Sequence, residues 1–286
     1  MPRVNAASAP PGPAPEPLWP DASALREFGP GLRYALQRPQ EPGPDTPVFV
    51  AIHGISRNAP DHFNAFAGLA HSRRSILVAP LFDAAGFPDY QRLGRRGFGR
   101  RADLALIALV DDVLASCGLQ GLKLHLFGHS GGAQFTHRFV MAHPQRVARY
   151  AISAAGWYTF PDESTDYPYG LREPPDGLDI SRQRPFLSVK GCVFVGMRDQ
   201  RRGASLRQRE RVDAQQGTTR IERATRWTAA MNSRARALGL AEPLELRRLP
   251  DTGHSFGGLV RRAGLHEQAW EFLLGHAQCG PGSIAT

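Results

Sequence analysis

Val48-Phe49-Val50-Ala51-Ile52 is a five-residue apolar run between the turn-rich Glu41–Pro47 and His53-Gly54. A run this short and this apolar predicts a strand buried on both faces. Runs at Ser75–Val78, Val147–Ser153 and Gly191–Gly196 predict further strands of the same kind. Leu122–Phe127 and Leu244–Leu249 alternate apolar with polar positions, and Leu32–Gln37 predicts an early edge strand. Between these runs the period lengthens. Asp61–Ala70 predicts a helix, as does Ala102–Ser116 with Leu104, Ile107, Val110 and Leu114 on one face. Ala133–Ala142, Arg220–Leu238 and Leu259–Leu274 continue the series. Ile221, Ala224, Trp227, Met231 and Ala235 form the apolar stripe of the second of these. Alternating strands and helices predict an α/β fold with one doubly wound, mostly parallel sheet.

Three stretches lie outside this pattern. Met1–Pro20 is rich in Pro and Ala and reads as a disordered tail, with residues 279–286 as a second, flexible tail. Residues 21–278 then form a single domain. Asp83–Arg101 is a long loop rich in Gly and Arg, and the sequence assigns no role to its arginine-rich part, 92–101. Gly156–Leu187 has little periodicity and carries Trp157, Tyr158, Phe160, Tyr167, Tyr169 and Phe186. That segment predicts a short cap insert and a partly open cleft with an aromatic wall.

Composition narrows the class. The 286-residue chain is long enough to bury a sizeable core, and its 42% hydrophobic and 21% charged content is ordinary for a globular protein. No apolar run approaches a membrane span, and Met1–Pro20 lacks the apolar core of a secretory signal. Cys117, Cys192 and Cys279 are an odd set without metal-ligand spacing, which predicts free thiols and a cytoplasmic setting. The net charge is +9 and nearly all of it is arginine, since Lys123 and Lys190 are the only lysines. Such basicity raises nucleic-acid binding as a reading. No helix-turn-helix, zinc or aromatic RNA-binding signature accompanies it, so arginines spread over solvated faces are the favoured account and no nucleic-acid partner is expected.

The chemistry concentrates at Gly128-His129-Ser130-Gly131-Gly132, which fits G-x-S-x-G between a predicted strand and a predicted helix. That order builds a nucleophile elbow, a sharp turn that lifts a serine hydroxyl off the sheet end. Gly128 and Gly132 avoid collision with the neighbouring strand and helix. Serine needs a base and an oxyanion site. Asp199 follows the strand ending at Gly196, and His254 follows the strand ending at Leu249. Both fall at the carboxyl edge of the sheet, where open parallel sheets place their sites. Asp251 is the rival acid, but it lies only three residues from His254. His53, His125, His129 and His143 are rival bases. His125 lies mid-strand, and His129 is expected to point away from the nucleophile's side.

These residues resemble the α/β-hydrolase superfamily over roughly Pro47–Gly275. His53-Gly54 with Asn58, Asp112, the elbow through Ala133, and Gly156-Trp157-Tyr158-Thr159-Phe160-Pro161 are similar to the esterase branch. That branch includes polyhydroxybutyrate depolymerase-like and feruloyl-esterase-like proteins. The resemblance implies a serine hydrolase that cleaves carboxylic esters through an acyl-enzyme. Ser130 is then the nucleophile, His254 the base and Asp199 the orienting acid. Oxyanion donors are the N–H of Gly131 and that of Ile55 or Ser56, with Ile55 directly after His-Gly. His53 shapes that loop. Trp157 and Tyr158 are candidates for the acyl or aryl pocket, with core packing as the competing reading. Arg57 and Arg198 either meet a substrate anion or are simply solvated. No cofactor and no metal is implied, and the expected partner is a small-molecule or oligomeric ester. Acyl transfer on the same triad, a non-catalytic binding protein and an arginine-rich nucleic-acid binder are the alternatives.

Overall fold

The computed structural model describes residues 25–95, 98–203 and 206–275. Both tails expected from the sequence, and Cys279, fall wholly or mainly outside these residues. Eight strands form one sheet: β1 (Arg26–Glu27), β2 (Leu32–Gln37), β3 (Val48–Ile52), β4 (Ile76–Phe82), β5 (Leu124–His129), β6 (Val147–Ser153), β7 (Lys190–Gly196) and β8 (Leu244–Leu249). Their spatial order is β1-β2-β4-β3-β5-β6-β7-β8. β2 runs antiparallel to both of its neighbours, and every pairing from β4 to β8 is parallel.

Strand alternation sorts the core into two layers. Val48, Val50 and Ile52 face one side of the sheet, with Leu106, Leu109, Phe135 and Trp227. Phe49 and Ala51 face the other, with Phe63, Phe66 and Trp270. Helices α2 (Ala102–Ala115), α3 (Gly131–Ala142) and α6 (Arg220–Ala237) therefore cover the first face. Helices α1 (Ala59–Ser72), α7 (Phe256–Ala263) and α8 (Leu265–Leu274) cover the second. Two short helices, α4 (Gln183–Leu187) and α5 (Glu210–Gln216), complete the set. Among the described residues no helix is long and apolar enough to cross a membrane.

The structure departs from the sequence reading at several places. β4 runs on to Phe82, past the expected end at Val78. Pro80 is tolerated there because β4 pairs only with β2 beyond Val78. The single closing helix is two, broken where Gly264 adopts φ 59° and caps α7. β1, α4 and α5 are additions, all too short to leave a period in the sequence.

The cap insert is short, as its length implied, but its aromatic side chains turn inward. Trp157, Tyr158, Phe160, Tyr169 and Phe186 are all buried. Tyr158 stacks on Trp227 at 4.7 Å between ring centroids, and Trp227 Nε1 donates to the Thr159 carbonyl at 2.7 Å. Arg101, at the end of the 83–101 loop, is tied down as well. Arg101 donates through Nε and Nη2 to the two carboxylate oxygens of buried Asp103, at 2.8 and 2.6 Å. His143 at the end of α3 meets the same carboxylate at 2.7 Å.

Candidate active site

Ser130 joins β5 directly to α3 and holds φ 55° and ψ −112°. That conformation is unusual for a residue with a Cβ, and it marks strain kept by the surroundings. Two glycines allow it. A Cβ on Gly128 would stand 2.3 Å from the Gly132 carbonyl oxygen, and one on Gly132 would stand 2.2 Å from that of Ile52. Ser130 N–H donates to the Ser153 carbonyl at 2.8 Å, which ties the turn to the end of β6.

His254 and Asp199 arrive from adjacent strand ends. The loops after β7 and β8 touch because Gly196 has no side chain: a Cβ there would lie 2.4 Å from the Thr252 carbonyl oxygen. Arg198 N–H donates to that same carbonyl at 2.8 Å, and Met197 N–H donates to Leu249 O at 2.9 Å. His254 Nδ1 then lies 3.0 Å from Asp199 Oδ2. Asp199 is buried, at 3% side-chain exposure, whereas the Asp251 side chain is 77% exposed and pairs with Arg198. Asp251 is thus spent on a surface ion pair, away from the imidazole, and Arg198 is a solvated side chain outside the cleft.

A cleft of about 320 Å³ is lined by Gly54, Ile55, Ser130, His254 and Phe256, among others. Ile55 is half exposed there. A Cβ on Gly131 would lie 3.0 Å from the Ile55 backbone nitrogen, so the two expected oxyanion donors are neighbours. Gly131 opens α3, and its N–H is one of those left without a partner inside the helix.

The loop that carries Ile55 is fixed from below. His53 is fully buried, donates from Nδ1 to the Gly54 carbonyl at 2.8 Å and accepts at Nε2 from the Phe82 N–H at 3.1 Å. Burial pushes its pKa down to about 4, so the ring is neutral and the two nitrogens keep distinct roles. Tyr90 Oη donates to the His53 carbonyl at 2.8 Å. Arg57, at φ 55°, donates to the carbonyls of Phe82 and Phe87 at 2.9 and 3.1 Å. Arg57 is thereby a loop clamp, which is neither of the roles its sequence position suggested.

His129 differs from expectation. Its ring lies 5.2 Å from that of His254 at 34°, and it lines the cleft. Strand alternation explains this. His129 falls on the same face of β5 as Phe127, the face covered by α1 and α7, and the chain from His254 leads straight into α7. Burial holds the His129 pKa well below its ordinary value. Behind it lies His62, fully buried, with its pKa pushed down to about 3 by desolvation.

Trp157 and Tyr158 are core residues here. Trp157 contacts the guanidinium groups of Arg138, Arg207 and Arg92, at 4.2, 5.0 and 5.5 Å from its ring centroid. Neither residue lines the cleft beside Ser130.

One residue of this site escaped the sequence reading. Arg220, the first residue of α6, donates from Nη1 to Asp199 Oδ1 at 3.0 Å. The signal was present: Arg220 and Arg223 lie seven and four residues before Trp227, on the buried stripe of an otherwise arginine-speckled helix. Among the described residues no group of side chains suited to a metal ion occurs.

No family model matches the chain, and no curated protein matches it. Solved structures do. The chain is similar to a poly(aspartic acid) hydrolase from Sphingomonas sp. KT-1, with a TM-score of 0.74 and 26% identity over 86% of this chain and 97% of that one. It is similar to a poly(3-hydroxybutyrate) depolymerase from Bordetella parapertussis, with a TM-score of 0.71 and 24% identity over 86% of each chain. A ferulic acid esterase aligns at a TM-score of 0.52 and 14% identity, over 85% of this chain and 90% of that one. Together with the strand order and the strained serine turn, these likenesses show the α/β-hydrolase fold.

Proposed function

We propose that the chain is a serine hydrolase that cleaves carboxylic esters through an acyl-enzyme. The observation that carries this reading is Ser130, held at φ 55° on the strand-to-helix turn, in the same cleft as a histidine already bonded to a buried carboxylate. Ser130 Oγ attacks the acyl carbon while His254 Nε2 takes its proton. The developing oxyanion is met by the N–H groups of Gly131 and Ile55, each worth about 3–4 kcal/mol in the barrier. The imidazolium, oriented by Asp199, returns the proton to the leaving alcohol. Water then repeats the sequence on the acyl-enzyme. The depolymerase and esterase likenesses support ester bonds as the target.

Cys117 and buried Cys192 are free thiols, which supports a reducing, cytoplasmic setting. Much of the arginine is paired with acids, as in Arg101–Asp103, Arg146–Asp111 and Arg223–Asp213, and this favours spread charge over a nucleic-acid face. The test is fluorophosphonate labelling followed by mass mapping. Ser130 should carry the label and Ser130→Ala should lose it. A label that persists in the mutant, or lands on Ser56 or Ser255, sinks the assignment.

A second reading rests on the likeness to a poly(aspartic acid) hydrolase. In it the same triad cleaves amide bonds of a carboxylate-bearing polymer. Turnover of poly(aspartate) at low salt, falling as salt screens the charges, would favour it over hydroxybutyrate oligomers.

A further inference from the structure

Asp199 has two oxygens and two partners. Oδ2 meets His254 Nδ1 at 3.0 Å, and Oδ1 accepts from Arg220 Nη1 at 3.0 Å. The Arg220 and Asp199 side chains are each 3% exposed, while that of His254 is 30% exposed. The guanidinium is placed by secondary structure. Thr219 caps α6 through its side chain to the Glu222 N–H at 3.2 Å, and Glu222 returns a bond to the Thr219 N–H at 3.2 Å. This capping box fixes the first turn, and Arg220 is the first residue of that turn. Trp227, two turns on, anchors the same helix by stacking on Tyr158.

We propose that Arg220 is a positioning residue of the triad: it fixes the Asp199 carboxylate through its second oxygen and offsets its charge beside the His254 imidazole. The inference rests on the triad reading given above.

The argument is one of charge balance. A buried carboxylate alone would set a full negative charge beside the imidazole. Arg220 makes the buried pair neutral and offsets that charge. An opposite charge within hydrogen-bond reach favours the charged form of the carboxylate. The other charged and titratable groups around the pair leave this balance in place. His129, from the end of β5, is held neutral by burial. Tyr158, from the segment after β6, is fully buried and stays a neutral phenol. Arg223, one turn along α6, meets Asp213 at 2.7 Å, and Asp213 also pairs with half-exposed Arg202. Arg198, from the loop of Asp199 itself, is matched by exposed Asp251.

The test needs no knowledge of the substrate. The rate of Ser130 labelling by a fluorophosphonate is measured against pH, since its acid limb reports the protonation of the base. Arg220→Gln and Arg220→Met remove the charge, and Arg220→Lys keeps it. Thermal melting confirms the fold of each. The limb should move to higher pH by about one unit in the Gln and Met variants, so labelling at a pH on the limb falls about tenfold. It should stay in place in the Lys variant. A limb that stays in place in all three, with only the plateau lowered, overturns the inference and leaves Arg220 a structural partner. A fold that survives only with a cation at this position also counts against it. Failure of the wild-type protein to label at Ser130 would instead remove the triad reading itself.

Discussion

Gly132 sits so close to Ile52 that a Cβ would stand 2.2 Å from the Ile52 carbonyl oxygen, a distance no real Cβ adopts. The first turn of α3 is thereby pressed against the end of β3, and Ser130 is held in its strained turn between them. Gly132→Ala should destabilise the fold by about 1–3 kcal/mol, as overpacking does. Gly128→Ala should do the same, since a Cβ there meets the Gly132 carbonyl at 2.3 Å. A denaturation midpoint equal to that of the wild type in either variant would show that the elbow is looser than described.

The two candidate acids separate cleanly by burial. Asp199→Asn leaves Arg220 buried without its carboxylate and presents the wrong group to His254. Activity should fall by up to about 10⁴-fold, because the imidazole is held in the wrong tautomer. Stability should fall too, by about 3–5 kcal/mol, as when one member of a buried ion pair is removed. Asp251→Asn loses only an exposed pair with Arg198, worth about 0–1 kcal/mol, and activity should hardly change. Parallel measurement of esterase rate and melting temperature checks both. A larger loss in Asp251→Asn would exchange the roles.

The elbow was legible because its chemistry is local. Glycines flanking a serine between a strand and a helix are forced by the backbone, so five residues suffice to read it. The central strands and the edge carrying Asp199 and His254 followed from apolar runs of the right length, while the strand order came only with the structure. Arg220 was not legible in the same way. Its pairing with Asp199 spans 21 residues and depends on where α6 lands, which tertiary packing decides. His129 was misplaced because the face it occupies is set by the register of β5 against α1 and α7. The aromatics of 156–187 suggested a pocket wall, yet burial in a short insert turned them into core. Arg57 was read as either a substrate-anion contact or a solvated side chain. Its positive φ and its contacts to Phe82 and Phe87 become visible only with the neighbouring loop in place.

Buried histidines, His53 and His62 among them, give the fold an acid limit. Burial lowers the pKa of His53 to about 4 and that of His62 to about 3, from an ordinary 6.5. Above pH 6.5 both rings are neutral whether the chain is folded or not, and they contribute no pH dependence. As pH falls below that, the unfolded chain takes up protons that the folded chain refuses. Stability should therefore drop between about pH 6.5 and pH 4 for His53, and on to about pH 3 for His62. Each unit of depression is worth about 1.4 kcal/mol over that window. His62→Phe should flatten part of this slope in urea titrations run from pH 7 to pH 4. An unchanged slope would mean that His62 is not the buried neutral ring described.

Trp157 and Tyr158 offer a choice between core and pocket that mutation can decide. Trp157 is 4% exposed and rests among three guanidinium groups and Tyr169, at 5.1 Å between ring centroids. Trp157→Ala should cost about 3–5 kcal/mol, the range for emptying a large aromatic site. It should lower kcat/KM for acetyl and aryl esters alike, because it acts on the fold. Tyr158 is the sharper probe. Its hydroxyl is buried with no hydrogen-bond partner among the described residues, while its ring stacks on Trp227. An unsatisfied buried hydroxyl costs about 1–3 kcal/mol, so its removal carries no penalty. Tyr158→Phe should melt at the same temperature as the wild type or higher, with kcat/KM unchanged across an ester panel. A selective loss on aryl esters at unchanged melting temperature would mean that substrate reaches this ring, and the insert would then form a pocket wall after all.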